Sequence, residues 1–294
     1  MYLGELAGLM TALCWSITSV SFEFAGKRIG SGPVNIIRLV IAFGILSVFN
    51  LVTTGSMMAL LVPHKQVVLL IISGLIGFVI GDLFLFEALV IIGARISMLI
   101  MALAPPLSAI IGFLVLGESM GYKAILGMLV TFSGIAVVIL NKNPGKPIKL
   151  SHPVKGISFA FLGALGQSVG LLFSKMGMVD MTAFQASQYR VLAGIVGFFV
   201  LLSLQGKMSV VKSALKNKKA MMATSIGAFF GPFLGVSLSL IAASLTSLGV
   251  ASTLMSIVPV VLIPVSVFFF KEKVNIKEII GAIITVTGVG MMFI

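Results

Sequence analysis

The sequence predicts an all-α integral membrane protein: ten transmembrane helices as two inverted five-helix repeats around a central cavity. Three observations predict it. Of 294 residues, 59% are hydrophobic and only 10% charged, with mean hydropathy +1.21, where a soluble domain carries about 25% charged residues. Apolar runs recur from end to end, each of about 19 residues or more and enough to cross about 30 Å of hydrocarbon. The chain also repeats itself. Gly4 and Arg38 recur as Gly156 and Arg190 at an offset of 152. Gly77, Gly81, Pro105, Glu118, Gly127 and Gly134 recur as Gly231, Gly235, Pro259, Glu272, Gly281 and Gly288 at an offset of 154. An odd number of spans per copy sets the second copy into the membrane upside down.

The first copy is expected to occupy 1–140, a basic linker 141–153 and the second copy 154–294. Span one, about 3–24, is too long for a cleavable signal peptide, lacks a basic leader and has Glu5 where one would sit. It carries the single cysteine, Cys14, so no disulfide framework or thiol metal site is expected. Span two, about 33–53, places Arg38 about two turns from its start. Span three, about 66–91, holds Gly77-x-x-x-Gly81, small residues four apart that let helices approach closely, and then Asp82 and Glu87. Span four, about 95–116, contains Pro105 and Pro106, which remove backbone donors and bend a helix. Span five, about 122–140, closes the copy.

Span six, about 154–174, has Gln167 where span one has Trp15, and span seven, about 183–204, carries Arg190. Span eight, about 220–244, repeats the glycine pair as Gly231 and Gly235, but has Val236 and Ile241 where copy one has Asp82 and Glu87. Span nine, about 248–270, contains Pro259 and Pro264; span ten, about 276–294, reaches Ile294 with no lipidation or retention motif.

A net charge of +12 invites a nucleic-acid reading, but its distribution excludes one. Fifteen of the 20 basic residues fall in connections on one face, from Lys27 and Arg28 to Lys271, Lys273 and Lys277. Only Lys65, Lys123 and Lys175 lie on the other. Basic residues are retained on the cytoplasmic side. Both termini are therefore expected outside, in the inner or plasma membrane of a prokaryote. The expected partners are a small-molecule substrate, the lipid bilayer and a second copy in a homodimer.

From Trp15 onward, in TALCWSITSV, the chain resembles the EamA-like members of the drug/metabolite transporter superfamily. The motifs that carry this are the span-two arginine (Arg38, repeated as Arg190), GDLFLFEAL ending at Leu89, and the 13-residue proline-to-glutamate spacing, Pro105 to Glu118 and Pro259 to Glu272. The resemblance covers nearly the whole chain as two units. It implies a ten-helix bundle with a central cavity, copies that rock against each other, and carriage of small metabolites, often export of amino acids or related solutes. The Trp15/Gln167 and Asp82/Val236 departures make that cavity chemically lopsided.

Ionisable residues inside spans cost roughly 2.5–3.5 kcal/mol each on insertion scales and warrant a functional hypothesis. The candidate substrate-binding residues are Trp15, Arg38, Asp82, Glu87, Gln167 and Arg190. Asp82 is the candidate proton-coupling group, since dehydration favours its neutral form and Arg38 its ionised form. The bland alternative is an ion pair of Arg38 with Asp82 or Glu87. Arg38 and Arg190 can clasp a substrate carboxylate bidentately, or snorkel and support folding. Glu23 and Lys175, at equivalent span ends, are expected on solvated faces, with Asp180 in the connection beside Lys175. Gln188, Tyr189, Ser237, Ser239 and Ser244 are weaker lining candidates. Gly81, Pro105, Pro106, Gly235, Pro259 and Pro264 are the expected hinge positions.

Catalysis is not expected. GQSVG at 166–170 matches G-x-S-x-G but lies within a helix rather than on a strand-to-helix elbow. The two histidines, His64 and His152, fall in connections on opposite faces, out of reach of Ser168. No cofactor or metal motif appears. The expected function is a secondary active carrier of a small polar or zwitterionic metabolite, working by alternating access and driven by an ion gradient or exchange. One proton moving with the field supplies about 2.3 kcal/mol per 100 mV, roughly fiftyfold accumulation. The alternative is a scaffold or sensor that binds a lipid or ligand without moving it.

Overall fold

The computed structural model describes residues 2–59, 62–116, 121–141, 149–179, 181–245, 254–270 and 274–292. Glu118, Asp180 and Glu272 lie outside the described residues. The molecule is a helical bundle. Its helices are α1 (Leu3–Ile29), α2 (Ser31–Thr54), α3 (His64–Met101), α4 (Ala104–Leu116), α5 (Tyr122–Ile139), α6 (Val154–Gly177) and α7 (Ala183–Leu204). They continue with the short α8 (Met208–Ala214), α9, α10 (Val258–Phe270) and α11 (Ile276–Met291). Helix α9 runs as Lys218–Ala228, Phe229–Gly235 and Val236–Leu245. Two two-residue strands, β1 (Leu140–Asn141) and β2 (Lys149–Leu150), pair antiparallel in the linker. Among the described residues, seven helices are long and apolar enough to cross a membrane.

Local sequence sets the breaks. Gly30, at φ 85°, separates α1 from α2, and Gly55, left-handed at φ 73°, ends α2 by donating its N–H to the Leu51 carbonyl. Thr182 and Gln185 form a reciprocal capping box at the start of α7. Asn217 and Asn275 cap α9 and α11 with their side-chain oxygens. Within α3, Gly93 adopts φ 79° and ψ 165°, so the 38-residue helix turns a corner there.

That corner explains a departure from the sequence reading. Glu23, expected on a solvated face, is only 4% exposed. The chain leaving Gly93 opens a new helical segment whose first N–H groups have no intrahelical partner. Glu23 Oε2 accepts the Ala94 N–H at 2.6 Å, and its other oxygen pairs with Lys27. Lys175, its repeat equivalent, is exposed. Glu23→Leu, which strands the Ala94 donor, is expected to cost about 1–3 kcal/mol of stability. Glu23→Gln, which keeps an acceptor, should lose less; thermal denaturation in detergent micelles ranks the two.

Two pairs of helices matched by the repeat, α2 with α7 and α5 with α11, pack antiparallel. Where α2 meets α7, Gly32 faces Leu202, Leu39 faces Gly194 and Asn50 donates to Gln188 Oε1 at 2.9 Å. Where α5 meets α11, Gly127 faces Met292 and Gly288, Gly134 faces Thr285 and Gly281, and Val138 faces Gly281. Two further contacts cross between copies in a matched way. Gly77 and Gly81 of α3 lie against Gly170 and Gly166 of α6; Gly231 and Gly235 of α9 lie against Thr18 and Trp15 of α1. The copies are thus related by a rotation axis across the bundle, at right angles to its helices.

The prolines do something other than bend a continuous helix. Residues 102–103 form a turn that ends α3, and Pro105 and Pro106 stand in the first turn of α4, where no backbone donor is needed. Residues 256–257 make the equivalent turn ahead of α10, with Pro259 in the position of Pro105. Pro264 lies inside α10.

Candidate functional site

Between the copies lies a cavity of about 190 Å³, far above the roughly 10–15 Å³ that one water needs. Both copies line it. Trp15, Arg38, Asp82, Gln167 and Arg190 all reach its wall, as do Pro105 and Pro259 at the starts of the two broken helices. Most of the remaining wall is apolar, with Phe22, Phe78, Met98, Met101 and Met255 prominent.

Arg38 and Asp82 form a buried ion pair, 3% exposed each. Arg38 Nε also donates to Asn35 Oδ1 at 3.1 Å, and Asn35 Nδ2 donates to the Asp82 carbonyl at 3.4 Å. The second Asp82 oxygen, Oδ1, accepts from Gln167 Nε2 at 2.7 Å. Thus α2, α3 and α6 converge on one carboxylate, and the span from copy two supplies one of its two ligands. The Arg38 guanidinium carbon lies 4.5 Å from the Phe86 ring centre and 5.4 Å from that of Phe22, a desolvated cation–π setting.

The helix beneath Asp82 is unusual. Leu75–Gly81 is π-helical, closed by the Asp82 N–H donating to the Gly77 carbonyl five residues back. Phe229–Gly235 is π-helical at the equivalent place in α9, closed by the Val236 N–H on the Gly231 carbonyl. The two wide turns contain the two glycine pairs, and π-turns concentrate at functional sites. Periodicity does not reveal them, since these spans are apolar on nearly all sides and carry no clear stripe for a wide turn to displace. Asn35 was also missed; its three-residue spacing from Arg38, which puts both on one helix face, was the available signal.

Other expected residues lie elsewhere. Glu87, grouped with the substrate-binding residues by sequence, is absent from the cavity wall and accepts from the Ser31 hydroxyl at the start of α2. A carboxylate on the far side of Asp82 is better placed to tie α3 to α2 than to meet a ligand. Gly81, Gly235, Pro106 and Pro264 also lie off the wall; the two glycines are buried where α3 meets α6 and α9 meets α1. Gln188 bonds Asn50, Ser47 and the Met57 carbonyl, and Tyr189 the Ala59 carbonyl, so both fasten α7 to α2 and its following loop. Ser239 reaches the cavity but bonds the Val236 carbonyl at 2.7 Å. Ser168, the serine of GQSVG, lies inside α6 and donates to the Ala164 and Ala104 carbonyls at 2.7 and 2.9 Å. It is tied to backbone, not to a base.

Arg190 is different from Arg38. It is 4% exposed and sits 4.9 Å from the Phe78 ring centre. Its Nε is buried without a hydrogen-bond partner.

Comparison with known proteins places this geometry. The model of the EamA-like transporter family matches residues 2–140 and again 154–294. An uncharacterized transporter, YyaM, of Bacillus subtilis (strain 168) is 27% identical over 239 residues, 77% of this chain and 73% of that protein. An uncharacterized transporter of Archaeoglobus fulgidus is 20% identical over 296 residues, 98% of this chain and 97% of that protein. A solved structure described only as "Crystal structure of protein" superposes with TM-score 0.62 at 18% identity, covering 98% of this chain and 95% of that one. That likeness speaks to the fold alone.

Proposed function

The chain belongs to the EamA-like transporter family, and from that premise we propose that this multi-pass membrane transporter is a secondary active carrier of a small polar metabolite. It has ten spans as two inverted five-helix copies and works by alternating access. The corner at Gly93 and the described parts of α4, α10 and α11 support that span count. Fifteen basic residues on one face support a cytoplasmic assignment for it, with both termini outside. The membrane is the cell membrane of a prokaryote, and efflux is the favoured direction.

One observation carries the reading: a single cavity is walled by equivalent elements of both copies, two broken helices and two π-turns, placed about the axis that relates them. Discontinuous helices facing each other across a repeat interface suit a site that opens to either side in turn. Small residues at Gly81/Gly166 and Gly231/Thr18 bring helices of the two copies into close contact beside the cavity, so a movement of one copy is felt directly by the other. Asp82 carries the coupling proton. Its two partners come from different copies, so a rocking motion that withdraws Gln167 weakens the hold on the ionised form and invites protonation.

The test is counterflow in proteoliposomes loaded with metabolites selected by thermal shift, with a lumenal pH dye. Saturable exchange accompanied by acidification or alkalinisation of the lumen is expected. Ligand binding with no counterflow of any binder would replace the carrier with a membrane receptor.

A further inference from the structure

The duplicated arginine has a partner in one copy only. Arg38 is neutralised by Asp82; the residue equivalent to Asp82 in copy two is Val236, which lines the same cavity. Ser187 stands where Asn35 stands, and its hydroxyl accepts from Ser237, not from the guanidinium. Arg190 therefore keeps the buried site of the pair without its carboxylate. No hydrogen bond to its side chain exists among the described residues, and its Nε is buried and unsatisfied. The only described carboxylate on the wall, Asp82, has one oxygen on Arg38 and the other on Gln167.

With Arg38 and Asp82 cancelling, the cavity retains one net positive charge. Asp82 acts on both guanidinium groups, so two cations share one carboxylate on a mostly apolar wall, an arrangement that is costly unless a second anion joins it. A guanidinium fork matches a carboxylate bidentately. The N-termini of α4 and α10, at Pro105 and Pro259, open on the same space with the polarity that favours an anion. A single charge balances; a dianion leaves one unit of negative charge buried. No described acid on the wall is free to receive an ammonium group.

We infer that Arg190 is the anion subsite of this carrier, and that its substrate is an organic monocarboxylate with an apolar body seated among Phe22, Phe78 and the methionines. This narrows the small polar metabolite proposed above and rests on this cavity being the transport site. A zwitterionic amino acid, the sequence-based expectation, would bring a cation with no acid free to meet it.

The experiment is equilibrium binding to the full chain in nanodiscs, using 3-phenylpropionate, 3-phenylpropionamide, phenyl phosphate and phenethylammonium. The carboxylate is expected to bind at least tenfold more tightly than the other three. Val236→Asp, which restores the missing partner, should abolish that preference while leaving the protein folded and no less heat-stable. Arg190→Gln should abolish it too, and Arg190→Lys should keep most of it. Equal binding of carboxylate and amide, an undiminished preference in Val236→Asp, or no binding of any carboxylate overturns the inference. If Arg190→Gln does not fold, the wild-type selectivity and Val236→Asp still decide. Carboxylate binding without counterflow would remove the carrier reading and leave the subsite, whereas counterflow of neutral or cationic solutes alone would do the reverse.

Discussion

Asp82→Leu is expected to be among the most destructive point changes in this protein, costing about 3–5 kcal/mol, the usual penalty for removing one member of a buried ion pair. The reason is the company Asp82 keeps. Without it Arg38 and Arg190 face one cavity with no described carboxylate between them, and Gln167 Nε2 loses its 2.7 Å acceptor. Asp82→Asn should be nearly as harmful, because an amide keeps the shape and a hydrogen bond but removes the charge. The double variant Arg38→Met/Asp82→Leu should recover most of the loss, since apolar groups of similar volume replace a buried pair at little or no cost. Thermal inactivation midpoints of the wild type, Arg38→Met, Asp82→Leu and the double variant in one detergent form the cycle. Additive losses, with the double variant worse than either single one, would show that the pair is not what makes Asp82 matter.

The pair was only half legible in the sequence. An arginine and an aspartate at membrane depth announce themselves, because hydrocarbon tolerates neither alone. The repeat offset then pointed to what copy two lacks, Val236 for Asp82 and Gln167 for Trp15. Which acid would meet Arg38 was not readable: Asp82 and Glu87 lie five residues apart, and only the packing of α2 on α3 sends Glu87 to Ser31 and Asp82 to the guanidinium. Glu23 misled for a similar reason. Its position at a span end suggested water, but the corner at Gly93 on another span created an orphan donor that drew it inside. Composition and repeats report how helices are made; the needs of a neighbouring helix end are written elsewhere in the chain.

The glycines were read as small residues that permit close packing, and the structure says which of them have no room to give. At Gly166 an added Cβ would stand 2.6 Å from the Gly81 Cα and 3.0 Å from its nitrogen. Carbon atoms settle at about 3.5–4.0 Å, so α3 and α6 must separate by about 1 Å, and backbone cannot rotate aside as a side chain can. Gly166→Val is therefore expected to cost at least about 3 kcal/mol, the upper end for overpacking a close-packed interior. The damage should not stop at stability. Gln167, the next residue, holds Asp82 Oδ1 at 2.7 Å and the Gly77 carbonyl at 3.3 Å, and a shift of that size takes both beyond hydrogen-bonding range. Gly44→Ala is the control, at an exposed position of α2 with nothing within 4 Å of the new methyl group, and should leave stability and ligand binding unchanged. If Gly166→Val melts like Gly44→Ala, the α3–α6 seam is not tight. If it melts early yet binds the wild-type ligand with wild-type affinity, Gln167 does not connect that seam to the cavity, and the proposed route from helix movement to Asp82 protonation fails at that step.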